Sequence, residues 1–541
     1  MSLKEGALRF RWWWIPACSL LWFTLHASSL SQGADQQSGW VREDAPSARS
    51  DRGTAPVRIR LADLPRVSAS ARVGPRAVPY RTQWAGGKPE PSQPPNRTSP
   101  PATAFLAEDP ATAPALLATP RLAKSFGGIP YTGLFPPDCT AAAGPDHVVI
   151  ATNASFAIYS KSGAKKFQST FTDWFDFLPE VQGAFFFDPK LVYDQHDDHF
   201  VMVVDASRDS DTRSWYLLSV SETSDAQGTW WVWALDMQLN GSTPTDDFAD
   251  FPGVGLDDQG IYLTSNLFSP FAGGPFAYSK LRILDKREVY AFGNLSWFDF
   301  FAIQDASGEL AFTVQPAHSY DSRSTAYLLS SDSTQSTKLT LYSLKNPVSN
   351  SPRLLRKGVT VAAYSFPPEA AQRGGGPLIN SGDARLLNTV LRDGSLYATH
   401  AVAHDWGSGL VAALRFYQLT LSGSVVQDLT YGADLFHYYY PAIMPNRDGD
   451  LALVFCRSSS TEYAAARFTG RRASDPPGSL EASQLLKAGA AHYALLDDIG
   501  RNRWGDFSGI ASDPEDDSLW IYAQFAKGKK KWGTQVGRLE F

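Results

Sequence analysis

Cysteine is nearly absent: the chain has three in 541 residues, and one of them, Cys18, sits in the N-terminal apolar segment. A disulfide-stapled scaffold and a cysteine-rich zinc module are therefore excluded. The other two, Cys139 and Cys456, are read either as one disulfide in an oxidising compartment or as two buried thiols in sheet cores. Long basic runs are missing too, and the net charge is −6, which disfavours a nucleic-acid partner. The short basic stretch Lys527 to Lys531 reads as a solvated hairpin loop. No Gly-x-Ser-x-Gly elbow occurs, and neither mature cysteine has a credible histidine partner in sequence, so nucleophilic catalysis has no support. Long helical periodicities are few.

Aromatic residues, by contrast, make up 13% of the chain, with 42 glycines and 36 prolines and only 19% charged residues. This is the profile of an all-β protein with many turns, in which Val, Ile, Tyr, Phe and Trp fill pleated, half-buried surfaces. One phrase recurs seven times: a first strand, an acidic or glycine turn, a strongly apolar second strand, a third strand and a looser fourth. The copies open at Asp138, Asp188, Asp250, about Gln315, Asp383, Tyr440 and Asp506. Turns such as Arg392-Asp393-Gly394 and Arg447-Asp448-Gly449 supply the positive φ of a tight hairpin. Second strands read VVIAT from Val148, FVMVV from Phe200, IYLTS from Ile261 and LWIYA from Leu519. Four antiparallel strands per copy, seven copies and no intervening helices predict a seven-bladed β-propeller.

The last copy is one strand short, because only Trp532 to Phe541 follows its second strand. An incomplete blade exposes a sheet edge. Residues between about Leu106 and Ile129 are therefore expected to supply the missing outer strand and close the ring.

Three segments are expected along the chain. Residues 1–29 form an export signal: Lys4, Arg9 and Arg11 precede an apolar stretch from Trp12 to Leu25, and Ala27-Ser28-Ser29 offers small residues for cleavage. That stretch falls short of the ~20 residues that span a bilayer, so the only membrane link expected is an uncleaved N-terminal anchor. Residues 30–105 are rich in Pro, Ser, Arg and Gln and are read as a disordered stalk. Residues 106–541 are the propeller. The location expected is secreted or cell envelope, and the state monomeric.

Five copies open with Asp, so Asp138, Asp188, Asp250, Asp383 and Asp506 are expected to ring one mouth of the central channel. Carboxylates there suit a cation or sugar hydroxyls, or else accept backbone N–H bonds where the chain crosses between blades. Arg385 and Arg503 lie near two of them and would neutralise them. Aromatic residues near blade ends, Tyr439 and Trp504 with Trp406 and the loop Trp174-Phe175-Asp176-Phe177, complete a possible cleft. The pairs His400/His404 and His196/His199 lack a third ligand at zinc spacing, and Asn446 to Asp450 is a hairpin turn that begins like a calcium loop without finishing one. No cofactor is expected; calcium is the one candidate.

Several phrases together resemble a group of exported bacterial β-propeller proteins of uncharacterised function, loosely called sialidase-like. They are Phe135-Pro136-Pro137-Asp138, Leu191-Val192-Tyr193-Asp194, Ser221 to Asp225 before Gly228-Thr229-Trp230, and Asn502 to Gly509. The resemblance covers roughly residues 125 to 541 and implies the fold and the exported location. Ser224 to Trp230 only approximates the Asp-box of sialidases, and no Arg-Ile-Pro segment, arginine triad or Tyr/Glu pair can be assigned. The function expected is a non-catalytic binding or adhesion module for an extracellular glycan or surface protein. The alternative is a sialidase-like glycoside hydrolase working through the channel-mouth carboxylates.

Overall fold

Strict alternation of large apolar side chains means that both faces of each repeat strand must be covered, because successive side chains point to opposite sides of a sheet. The computed structural model describes residues 39–42, 45–64, 75–78, 103–107, 120–271, 274–332 and 335–541. Within them the strands are laid out to satisfy that demand. On the strand His199–Arg208, Phe200, Met202 and Val204 join one apolar cluster while Val201 and Val203 join the next. On Gly260–Phe268, Ile261 and Leu263 face back and Tyr262 faces forward.

Seven sheets follow one another along the chain, each beginning with its innermost strand. The first comprises Thr140–Ala143, His147–Thr152, Ser155–Ser160 and Lys165–Thr170. The second runs Phe185–Asp194, His199–Arg208, Arg213–Ser221, Thr229–Asp236, and the third Phe248–Leu256, Gly260–Phe268, Phe276–Asp285, Leu295–Phe301. The fourth begins at Gln315–Ser319 and the fifth at Asn388–Arg392; these two inner strands pair in parallel and join their sheets. The sixth runs from Phe436–Pro445 to Gln484–Lys487. The seventh holds Gly509–Ser512, Leu519–Gly528 and Lys531–Glu540. Each first strand adjoins the first strands of the sheets before and after it, and the seventh meets the first. An apolar cluster fills every gap between consecutive sheets, including that between seventh and first, where Trp520 and Tyr522 pack on Val148 and Ile150. With both faces buried all the way round, no sheet needs a capping layer.

The strand Arg121–Gly127 pairs antiparallel with the last strand, Val536 opposite Phe126 and Gly537 opposite Ser125. Lys527 to Lys531 turns the hairpin between the last two strands of that sheet.

Three expectations need correction. The segment 30–105 is not without structure: Ser47–Thr54 lies along the outer edge of the third sheet, Val57–Arg60 along the second, Val41–Arg42 along the fourth and Thr103–Ala107, in parallel, along the fifth. Low apolar content did not prevent pairing, because an edge strand gains backbone hydrogen bonds and covers an edge without needing two apolar faces. Second, Trp174 and Phe175 are not in a loop. They belong to a short helix, Phe171–Phe175, capped by the Thr170 hydroxyl on the Asp173 N–H, and both are buried between the first two sheets. Another short helix is Lys286–Val289. The third correction concerns the repeat register and is taken up below. Residues 1–38, with the expected export signal, lie outside the described residues.

Candidate functional site

The inner strands share a kink that decides what faces the ring opening. In the second, third and sixth sheets the ladder slips between Phe187 and Lys190, Asp250 and Gly253, and Tyr439 and Ala442. Each slip holds a residue with positive φ followed by proline: Asp188 (48°), Phe251 (59°) and Tyr440 (52°). Asp138 in the first sheet has the same φ, 52°. Positive φ in a non-glycine residue costs on the order of 1–3 kcal/mol and persists only where surroundings fix it. Here the fixing groups are side chains from neighbouring strands.

Register also corrects the ring of aspartates. Asp188 is equivalent to Phe251 and Tyr440, whereas Asp250 is equivalent to Phe187 and Tyr439, one residue earlier. Opposite that earlier position, on the second strand, stand Asp205, Asn266 and Cys456; in the first sheet it is Asn153, whose N–H bonds to Pro137. The two asparagines work alike. Asn153 Oδ1 accepts the N–H of Asp188 in the next sheet at 2.7 Å, and its Nδ2 donates to the Asp138 carboxylate at 2.5 Å. Asn266 Oδ1 accepts the N–H of Thr313 at 2.8 Å, and Thr313 is the positive-φ residue leading into the fourth sheet. Each asparagine therefore stitches one inner strand to the next.

Around the opening, Asp138, Asp188, Asp250, Asp383 and Asp506 are all 5% exposed or less. Asp138, Asp188 and Asp506 bring oxygens within 4.8 Å of one another, and so do Asp188, Asp205 and Asp250. Asp138 Oδ1 also accepts the N–H of Asp506 at 2.7 Å. Arg503 reaches Asp506 at 2.6 Å, as its place in sequence suggests. Asp383 stands in a bidentate pair with Arg385, Nε to Oδ1 at 2.7 Å and Nη2 to Oδ2 at 2.6 Å, and shares a pocket with Asp506.

Burial governs the titration of this cluster. It pushes the Asp138 carboxyl well up, helped by the charge of Asp506 and opposed by Arg503. Asp188 rises through burial and then the charges of Asp138, Asp250 and Asp506; Asp205 rises through burial and then Asp188 and Asp250. Lys190 is half-buried among them and falls to about 8, desolvation outweighing the attraction of Asp188. Its ammonium lies 3.2 Å from the Phe507 ring centre and 5.6 Å from that of Phe251, while the Arg385 guanidinium lies 4.3 Å from the Phe251 ring centre. Phe251 and Phe507 meet edge to face at 6.2 Å, so two rings and two cations close the opening. Beneath them a channel is lined by inner-strand residues of all seven sheets, among them Thr140, Lys190, Gln315, His318, Asn388 and Ser508.

The expected aromatic cleft does not form. Tyr439 and Trp504 are completely buried, Tyr439 donating to Ser458 Oγ and Trp504 packing edge-on against Tyr493 at 4.8 Å. Tyr440 is spent on the Asn380 carbonyl. His400 is buried between Ala384 O and the Tyr417 hydroxyl, and His404 packs on Trp406 and Phe105, so neither is offered to a metal. Cys139 and Cys456 are both free and buried.

Sequence reasoning missed the surface beside the opening. Two long connections, 366–387 and 488–508, are laced together: Ile379 bridges Asn502, Leu496 bridges Asn502, and Gln372 exchanges two hydrogen bonds with the backbone of Tyr493. They carry Leu378 (51% exposed), Leu496 (50%) and Ile499 (75%) grouped about Asn502. The available signal was local: an isoleucine inside the polar Asp-Asp-Ile-Gly turn starting at Asp497, with no strand alternation to bury it.

No protein-family model matches the chain, and neither does any curated protein sequence. Among solved structures the chain is similar to a protein of unknown function from Dyadobacter fermentans at 10% identity, covering 65% of this chain and 94% of that one, with a TM-score of 0.35. It is similar to the Trypanosoma rangeli sialidase at 9% identity, covering 70% and 56%, with a TM-score of 0.33. The GH43 endo-arabinanase from Bacillus licheniformis is 11% identical over 68% and 97%, with a TM-score of 0.26.

Proposed function

We propose that the chain is an exported, monomeric seven-bladed β-propeller, its last blade completed by residues 121–127, that binds a protein ligand without catalysing a reaction on it. The observation that supports this reading is the burial of the candidate carboxylates and of Tyr439 and Trp504 beside an exposed aliphatic surface. A glycosidase needs two carboxyl groups that reach substrate, one with a raised pKa. Asp138 beside Asp506 has the chemistry, and keeps sialidase-like hydrolysis as the second reading, but both are buried, at 3% exposed or less. Sugars stack on exposed aromatic faces, whereas the groups presented next to the opening are Leu378, Leu496 and Ile499. Aliphatic side chains ringed by polar loop atoms suit a polypeptide. Function on such a scaffold lives in the loops rather than the fold.

The test is a peptide display selection on the purified chain, run beside a glycan array and a panel of chromogenic glycosides. Selected peptides should bind at least 10-fold more weakly to Ile499→Asp and Leu496→Asp, with no glycoside turned over. Turnover that disappears in Asp138→Asn would establish the hydrolase instead.

A further inference from the structure

Asp205 breaks a pattern that its neighbours keep. At its register position the first and third sheets carry Asn153 and Asn266, and each amide both accepts an N–H from the next inner strand and donates to an oxygen. Asn153 donates to the carboxylate of Asp138, the positive-φ residue of its own sheet. Asp205 sits in the same relation to Asp188 but has no proton to give. It is 1% exposed, and neither of its oxygens has a hydrogen-bond partner among the described residues. Instead they point at Asp188 and Asp250, with oxygens of all three residues within 4.8 Å of one another. Asp188 Oδ1 is likewise without a hydrogen-bond partner.

A buried carboxylate with nothing to accept from is costly, and the closeness of two further carboxylates adds to the cost for Asp205. The nearest cation does not meet the need, for Lys190 rests its ammonium on the rings of Phe507 and Phe251 rather than on a carboxylate. An asparagine at position 205 would have stitched the strands as it does in the first and third sheets. An aspartate there makes sense when something positive stands between it and Asp188.

We propose that Asp188, Asp205 and Asp250 hold one divalent cation of the calcium type. All the donors are hard oxygens, with no His or Cys among them, which excludes a zinc or copper preference. Magnesium keeps several waters and dehydrates reluctantly, so a cage of three buried carboxylates suits calcium, which takes six to eight oxygens in flexible geometry. The site differs from the five-aspartate ring expected from sequence. It keeps Asp188 and Asp250, adds Asp205 from the second strand, and leaves out Asp138 and Asp506, which Asn153 and Arg503 already serve, and Asp383, paired with Arg385. The cation would tie the second sheet to the third, as Asn153 ties the first to the second.

The purified chain, stripped with chelator and dialysed, should take up one calcium per chain by calorimetry and elemental analysis. Its Tm should rise on the order of 3 °C in a 100-fold excess of calcium over Kd. Asp205→Asn should lose both the uptake and the rise while keeping the unloaded Tm of the wild type, because the amide can stitch Asp188 as Asn153 stitches Asp138. Asp250→Asn should lose the same two signals, and serves if the first variant folds poorly. The proposal is overturned if folded wild-type chain takes up no calcium, or if Asp205→Asn or Asp250→Asn takes up as much as wild type.

Discussion

Two arcs of the same ring treat buried carboxylates in opposite ways. From the third sheet round to the sixth, four carboxylates each hold a guanidinium: Asp299 with Arg282, Asp383 with Arg385, Asp428 with Arg415, Glu462 with Arg457, while the buried Asp257 is met by backbone N–H groups and the Tyr262 hydroxyl. Across the seventh, first and second sheets and the start of the third, Asp138, Asp188, Asp205, Asp250 and Asp506 crowd together, and Asp205 has no hydrogen-bond partner for either oxygen among the described residues. A planar guanidinium meets both oxygens of a carboxylate and adds further bonds, so Arg415 also reaches the Ala363 carbonyl. The matched arc is complete in its own side chains. In the unmatched arc Asp205 has no hydrogen-bond partner for either oxygen among the described residues, and a proton or the proposed cation would act there.

The junction beside the unmatched arc offers the largest effect. Removing residues up to Gly127 strips the last sheet of its outer strand and the apolar cluster between seventh and first sheets of Phe126. The lost pairing and burial are worth on the order of 5 kcal/mol, and the freed edge invites association. Calorimetry should show a lower Tm and a broadened transition; an unchanged melt would mean that the ring closes without this strand.

Next in size is the contrast between the arcs themselves. Arg415→Met leaves Asp428 buried and unpaired and should cost about 3–5 kcal/mol in urea unfolding. Asp205→Asn in chelator removes a charge that nothing opposes directly and should fall within about 1 kcal/mol of wild type or exceed it. Equal losses from the two substitutions would erase the distinction between the arcs.

Much of this architecture was legible because burial on both faces leaves a plain period-2 pattern, repeated at each second strand from Val148 to Leu519. The short final copy likewise pointed to a strand from the other end. The site was less legible for a specific reason. Asp250 and Asp188 look alike when the copies are aligned on aspartate, but the slip falls at the residue before proline, which is Asp188 in one sheet and Phe251 in the next, so Asp250 stands one position earlier. Asp205 was hidden inside an apolar strand, where its neighbours Val204 and Ala206 made it look like an interruption. The edge strands at 41–60 follow no apolar period at all, since they contribute backbone bonds and little else. Tyr439 and Trp504 were misplaced because aromatic residues at strand ends serve cores as often as clefts.

Acid should separate the arcs by a smaller margin. Around the matched arc three histidines are held neutral by burial: His318 and His400 fall to about 3 and His437 to about 4. His400 shows the cost of a proton. One ring nitrogen faces the Ala384 carbonyl and the other accepts from the Tyr417 hydroxyl, while Arg415 stands near with its own charge. A depressed histidine contributes stability that is full above its unfolded value near 6.5 and is lost as pH falls toward the folded value. The raised carboxyls Asp188 and Asp205 run the other way, adding stability as pH falls. The bulk slope mixes both, so a difference measurement is needed. Each histidine should account for about 1 kcal/mol between pH 7 and 5.5. His400→Gln should therefore flatten the fall of unfolding free energy with acid by that amount relative to wild type, whatever its own baseline stability. Parallel pH profiles for the two chains would show that His400 takes up its proton without loss of the Tyr417 bond, and would move the acid sensitivity to the carboxylate arc.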